Sequence, residues 1–204
     1  MIDGIGTPFG AFQAIGVSAF DTILITGLGP VGLGGVLNSR FRGAHVIGVE
    51  PVSWRRDRAK QMGAEEVFGP NDEHILAKIR ALTSGRGVDC AVDFSGLPDD
   101  LRGTVQGERL CIDATRQRGK VAFVGECSKD LSIQASRDMI RKGLTIVGSW
   151  CWNTADLPQI MQVIQESPLM DLLISHVMPM GRIQEAFELL ASGECAKVVL
   201  KPWE

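Results

Sequence analysis

An apolar run, Thr22-Ile-Leu-Ile-Thr26, breaks at Gly27-Leu-Gly29-Pro-Val-Gly32-Leu-Gly34-Gly35, and a second apolar run, His45-Val-Ile-Gly-Val49, follows and closes on Glu50. Strand, glycine turn, helix start and strand in this order form a βαβ unit, in which each glycine has a separate task. Gly27 makes the tight turn off the strand, Gly29 lets the backbone come close to a pyrophosphate, and Gly32 lets the helix pack near the sheet. Pro30 suits the first helical position, where its fixed φ and missing N–H carry no penalty. The free N–H groups of that helix start, with Val31 in its first turn, face the place of a diphosphate.

Glu50 lies 18 residues beyond Gly32, near the spacing at which a carboxylate accepts the two hydroxyls of an adenosine ribose. The same charge repels a 2′-phosphate, so the residues point to NAD rather than NADP. A glycine turn alone is a weak sign, because other adenine nucleotides use similar turns. Here the flanking strands and the acid supply its context.

Length and charge narrow the remaining classes. A chain of 204 residues suffices for one well-packed α/β domain with something attached, and is short for two full domains. With 21 basic and 24 acidic side chains the net charge is −3, and no basic run dominates, which argues against nucleic acid or an anionic membrane as a partner. Neither an apolar membrane span nor a signal-peptide pattern is visible, so a soluble cytoplasmic protein is expected. Cys90, Cys111, Cys127, Cys151 and Cys195 stand singly, and His45, His74 and His176 are equally scattered. The spacing fits neither a disulfide framework nor a zinc knuckle, and the cysteines read as small apolar fillers. The absence of tyrosine excludes the Tyr-x-x-x-Lys chemistry of short-chain dehydrogenases.

Short β-branched-rich runs predict strands at 22–26, 45–49, 66–68, 89–94, 120–124 and 144–148. Helical patterns lie between them at 31–41, 54–62, 72–83, 100–117 and 155–166, the third with Ile75, Ile79 and Leu82 as one buried stripe. Six strands alternating with helices predict an α/β fold of the Rossmann type, a doubly wound six-stranded parallel sheet of order 3-2-1-4-5-6 with its ligand crevice beside the first strand. On this reading 21–170 is the NAD-binding domain. Residues 1–20 are a lead-in, helical in their second half. Residues 171–204 read strand, helix, strand: Leu172 to Met180, then Ile183, Phe187 and Leu190 on one helical face, then a strand from Ala196. This tail has too little core to stand alone.

Together these segments resemble the medium-chain dehydrogenases, in particular the zinc-dependent alcohol and polyol dehydrogenases. The cofactor turn at Gly27–Gly34 is similar to theirs, as is Glu50 followed by Arg55, Ala59 and Met62-Gly63-Ala64. Gly85-Arg-Gly-Val-Asp-Cys-Ala-Val-Asp-Phe-Ser-Gly96, Gly119-Lys-Val-Ala-Phe-Val-Gly125 and Ile140-Arg-Lys-Gly-Leu-Thr-Ile-Val-Gly-Ser149 resemble the family's fourth, fifth and sixth strands. The run from Glu185 to Pro202 resembles its C-terminal segment. Beside Gly27, Gly29, Pro30, Val31, Gly32 and Glu50, the resemblance implies cofactor contacts at five further positions: Ser95, Arg55 beside the adenosine ribose, Val124 and Val147 toward the nicotinamide carboxamide, and Lys197 near the pyrophosphate.

Family members begin with a β-rich domain that carries most of the catalytic zinc ligands, and no counterpart of it is recognised in this sequence. Asp3 falls where some members place a carboxylate on the zinc. A single carboxylate cannot hold a metal that wants about four ligands, so no metal is expected in this chain. Zinc lowers the pKa of the alcohol oxygen before hydride passes to the nicotinamide, so the chain alone is expected to bind NAD(H) and turn over little or nothing. The alternative is a non-catalytic module that binds a nucleotide or self-associates. The resemblance further implies a homodimer paired through the edge strand 144–148, whose apolar run carries no proline or charge.

Overall fold

The computed structural model describes residues 2–95, 107–126 and 130–204. Its centre is a six-stranded parallel sheet, β1 (Thr22–Thr26), β2 (His45–Val49), β3 (Glu66–Phe68), β4 (Val88–Asp93), β5 (Thr115–Phe123) and β6 (Thr145–Gly148), in the order β3-β2-β1-β4-β5-β6. A parallel sheet covered on both faces needs apolar side chains on both, which is why β1 is a continuous apolar run. Ile23 and Ile25 point into one core, with Phe12, Leu33, Leu37 and Met62, while Leu24 points into the other, with Ile79, Leu110 and Ile112.

The first face is covered by α1 (Ile2–Ile15), α2 (Pro30–Phe41), α3 (Ser53–Gln61) and α6 (Leu157–Glu166), the second by α4 (Ile75–Leu82) and α5 (Gly107–Ala114). The lead-in is therefore helical from Ile2 rather than only in its second half. It belongs to the main core, burying Ile5, Phe9, Phe12 and Ile15, and Asn38 Nδ2 of α2 donates to the Ile5 carbonyl at 3.1 Å.

The predicted helix at 100–117 is corrected at its end, where Thr115 already pairs with Val88 as the start of β5. Thr115 Oγ1 turns back to the Cys111 carbonyl at 2.6 Å, closing the last helical turn. The register then jumps, Cys90 facing Lys120, and the intervening bulge is held by Arg116 Nε on Asp89 Oδ1 at 2.6 Å. The part of that prediction at 100–106 lies outside the described residues. Leu82 does not share the buried stripe of Ile75 and Ile79; it is 54% exposed at the end of α4.

The tail reads α7 (Met170–Leu173), β7 (Ile174–Pro179), α8 (Ile183–Ser192) and β8 (Lys197–Lys201), with β7 and β8 paired as a parallel two-stranded sheet. Leu172 and Leu173 thus close a short helix rather than open the strand. Ala186 is buried, whereas Ile183, Phe187 and Leu190 form an exposed face. The fillers Cys90, Cys111 and Cys195 are buried, but Cys151 is exposed; Cys127 lies outside the described residues. Among the described residues no helix is long and apolar enough to cross a membrane.

Candidate functional site

The carboxyl ends of β1, β2, β4 and β5 converge where the strand order reverses, the place at which open α/β sheets bind ligands. The turn after β1 is built from close backbone contacts. Gly27 has φ +79° and its amide donates to the Val49 carbonyl at 2.9 Å, tying the turn to β2. A Cβ there would lie 2.6 Å from Ser95 Cα, and one on Gly32 would lie 1.8 Å from the Gly27 carbonyl oxygen. Gly29 differs: a Cβ on it would meet Arg55 Nη1 at 3.9 Å as its nearest contact. The turn is closed on its inner side and open at Gly29, which precedes α2 with Pro30 at the first helical position. That opening, at a helix N-terminus with unpaired amides, suits an anion such as a diphosphate.

Glu50, at the end of β2, is 2% exposed. Its Oε2 accepts from the Leu28 amide at 2.7 Å and its Oε1 from the Val52 amide at 3.0 Å. The carboxylate therefore shapes the turn itself, and each oxygen keeps a further lone pair. Arg55 Nη1 stands 3.8 Å from Glu50 Oε1, and its Nε is buried without a hydrogen-bond partner among the described residues. The neighbouring Arg56 is committed elsewhere, its Nη1 donating to the carbonyls of Glu50 and Pro51 at 2.9 and 2.6 Å. Trp54 Nε1 donates to the Gly193 carbonyl at 3.2 Å, fastening α3 to the turn after α8.

Ser95 Oγ donates to Asp93 Oδ1 at 2.7 Å. The Val124 amide is taken by the Asp93 carbonyl at 3.1 Å, which leaves the Val124 carbonyl as the group it would offer. Val147 sits in β6 opposite Ala122. Lys197, the first residue of β8, holds its Nζ 3.5 Å from Asp3 Oδ2, and Asp3 also accepts from Thr7 Oγ1 at 3.2 Å. Gly27, Gly29, Gly32, Glu50, Arg55 and Ser95 thus come together around one turn, while Lys197 is joined to α1.

Asp93 and Thr26 were not singled out by the sequence. Thr26 Oγ1 donates to Asp93 Oδ1 at 2.5 Å, and Asp93 is fully buried with Oδ2 unpartnered among the described residues. Burial pushes the Asp93 carboxyl up to about 6 despite the two hydroxyl donors that pull it down, and Glu108 raises it further. Burial likewise pushes the Cys90 thiol up to about 12 and the Cys111 thiol well above its ordinary value, leaving both inert as nucleophiles.

A zinc centre does not fit the described residues. Asp3 is 65% exposed on its side chain and paired with a lysine, and no three His, Cys, Asp or Glu side chains among the described residues come together as metal ligands.

Comparison with known proteins identifies the family. Residues 30–166 match the family described as zinc-binding dehydrogenase. The sequence is similar to L-threonine 3-dehydrogenase of Pyrococcus abyssi, 35% identical over 184 residues that make up 87% of this chain and 50% of the relative. The fold is similar to an alcohol dehydrogenase of Thermotoga maritima, with a TM-score of 0.86 and 26% identity over 98% of this chain and 55% of the other. It is also similar to benzyl alcohol dehydrogenase of Acinetobacter calcoaceticus, with a TM-score of 0.82 and 27% identity over 97% of this chain and 54% of the other. The chain spans about half the length of the curated relatives it matches. With the parallel sheet, the glycine turn and the acid of β2 in their places, it belongs to the zinc-binding dehydrogenase family.

Proposed function

We propose that the chain is the NAD(H)-binding portion of a zinc-type alcohol or polyol dehydrogenase, with 21–170 as the cofactor domain and 171–204 as a segment of the catalytic domain. The observation that carries this reading is the open face of Gly29 between Glu50 and the N-terminus of α2. The diphosphate would lie against Gly29 and the amides of Val31 and Gly32, and the adenosine ribose would take the remaining lone pairs of Glu50 beside Arg55. Val124 and Val147 would meet the carboxamide with backbone groups, and Lys197 would exchange Asp3 for a phosphate oxygen. When bound, the nicotinamide supplies a hydride acceptor for an alcohol carbon. The chain's own residues would position that ring, and among the described residues none forms a zinc site, which is the ground for expecting binding without turnover.

The charge at Glu50 favours NAD(H) over NADP(H), and Arg56, already bonded to two carbonyls, is poorly placed to compensate a 2′-phosphate. Calorimetry with both reduced cofactors tests the reading: NADH binds more tightly, and Glu50→Ala narrows the difference. Equal or tighter binding of NADPH would refute the NAD assignment, and no binding of either would refute the function.

The same reading includes a homodimer through β6. This strand ends the sheet with its outer edge unpaired among the described residues, and Ile140 and Trp150 beside it are largely exposed. Cytoplasmic residence fits the unpaired state of the four described cysteines.

A further inference from the structure

We propose that Asp93 is a positioning residue of the dinucleotide cleft, its ionised carboxylate fixing the turn after β1 and its carbonyl fixing the end of β5, so that both ends of the cofactor meet prearranged backbone. This inference rests on the reading of the chain as a dinucleotide-binding portion.

The geometry is that of a node. Through Oδ1 the side chain holds Thr26, the last residue of β1, at 2.5 Å and Ser95 at 2.7 Å. These two residues flank Gly27: Thr26 precedes it, its carbonyl accepting from the Phe94 amide at 2.8 Å, and Ser95 packs its backbone where a Gly27 side chain would stand. The carbonyl of Asp93 accepts from the amides of Val124 and Gly125 at 3.1 and 3.0 Å. One residue thus sets the spacing between the diphosphate turn and the strand end assigned to the nicotinamide, without itself facing either.

Hydroxyl bonds to an ionised carboxylate are roughly twice as strong as those to a neutral acid, so a proton on Asp93 loosens Thr26 and Ser95 together. Among the described residues, the groups that face the carboxyl are Thr26 on β1, Ser95 after β4 with its hydroxyl and its amide, and Glu108 and Cys111 on α5, none of them a cation. Asp93 therefore exchanges its proton near pH 6, within the range in which binding is measurable.

The test is calorimetric titration of the whole chain with NAD⁺ from pH 5 to pH 8, for the wild type, Asp93→Asn and Ser95→Ala. Wild-type affinity is expected to fall about fivefold from pH 7.5 to pH 5, the share of the tenfold limit that a displacement of one pKa unit between free and bound protein reaches by pH 5. Asp93→Asn binds weakly at every pH with a flat profile, and it retains all three histidines, so any slope due to them survives the substitution. Ser95→Ala keeps the carboxylate but removes a donor that favours its ionised form, so its midpoint moves to higher pH; this variant decides the matter if the asparagine protein does not fold. A wild-type profile flat across the range, or an unmoved midpoint in Ser95→Ala, overturns the role of Asp93. Absence of NAD⁺ binding at every pH overturns the underlying function and this role with it.

Discussion

On the proposed reading the three glycines of the turn separate into two that serve the fold and one that serves the ligand. Replacing Gly32 with alanine places a carbon 1.8 Å from the Gly27 carbonyl oxygen, so α2 or the turn must shift by more than an ångström. Overpacking of that kind costs about 1–3 kcal/mol. In Gly27→Ala the left-handed φ of +79° costs about 1–2 kcal/mol, and the 2.6 Å approach to Ser95 Cα adds to it. Both variants are expected to lose about 3 kcal/mol, which for a chain of this size lowers the melting temperature by about 6–12 °C.

Gly29→Ala is different. Its φ of −67° is ordinary for any residue, and the nearest atom stands 3.9 Å from the new carbon. The smaller entropy of the unfolded alanine chain, about 0.4–1 kcal/mol, is offset in part by the loss of a favourable residue before the helix. Stability is expected to stay within about 0.5 kcal/mol of the wild type. Affinity for NADH is expected to fall at least about tenfold, or about 1.4 kcal/mol, because the methyl group fills the approach of the diphosphate. Urea denaturation and NADH titration on the same samples decide it. If Gly29→Ala melts with the other two, or binds NADH as the wild type does, the division of labour is wrong.

Light scattering at micromolar concentration is expected to give twice the chain mass, and Ile146→Lys to return it to the monomer; a monomeric wild type removes the edge-strand pairing. Elemental analysis of protein purified without a metal-affinity tag is expected to show no stoichiometric zinc, and one zinc per chain would reveal a site involving Asp3. Asp138, in the π-helical turn Ala135–Ile140, bonds Arg109 Nη1 at 2.8 Å and Arg137 Nε at 2.7 Å, which holds its carboxyl well below the usual range. Because this carboxyl is more acidic folded than unfolded, its stabilisation is complete at neutral pH and is lost as pH falls below about 4. Asp138→Asn, which leaves Arg109 with Asp113 as its remaining acid, is expected to cost about 1–2 kcal/mol at pH 7 and to flatten the acid limb of the urea-midpoint curve. An unchanged curve would show the cluster to be incidental.

Local pattern carried most of the sheet. β1, β2 and β3 were readable to the residue because buried parallel strands are short apolar runs between turn signals, and the crossovers then left little choice of order. The start of β5 was not readable: Thr115-Arg-Gln-Arg118 has no strand pattern, and it pairs because Arg116 meets Asp89 and Arg118 takes a positive φ, both dictated from outside the segment. The glycine-rich α1 looked weak as a helix and is held by Phe9 and Phe12 in the core, which no local signal announces. That the glycines and Glu50 meet at one turn was readable because their spacing is itself the motif. Asp93 was hidden, since an acid closing an apolar strand reads as its exposed end, and its partner Thr26 is 67 residues distant. The commitment of Arg56 to the carbonyls of Glu50 and Pro51 was equally invisible, because it depends on how the chain bends after β2.

The bond from Trp54 to the Gly193 carbonyl gives the chain an optical consequence. Its indole is pinned on α3 with the Arg55 guanidinium carbon 5.7 Å from the ring centre, so on the proposed reading a dinucleotide that draws that cation away would alter the electric field on the ring and with it the colour and yield of its emission. Trp203, 94% exposed, stands in a water-like environment, and Trp150 beside β6 would respond instead to the proposed pairing of the sheet edge. On the proposed reading ligand entry and self-association would be reported by different indoles, and single tryptophan-to-phenylalanine replacements would separate the two signals without any added dye.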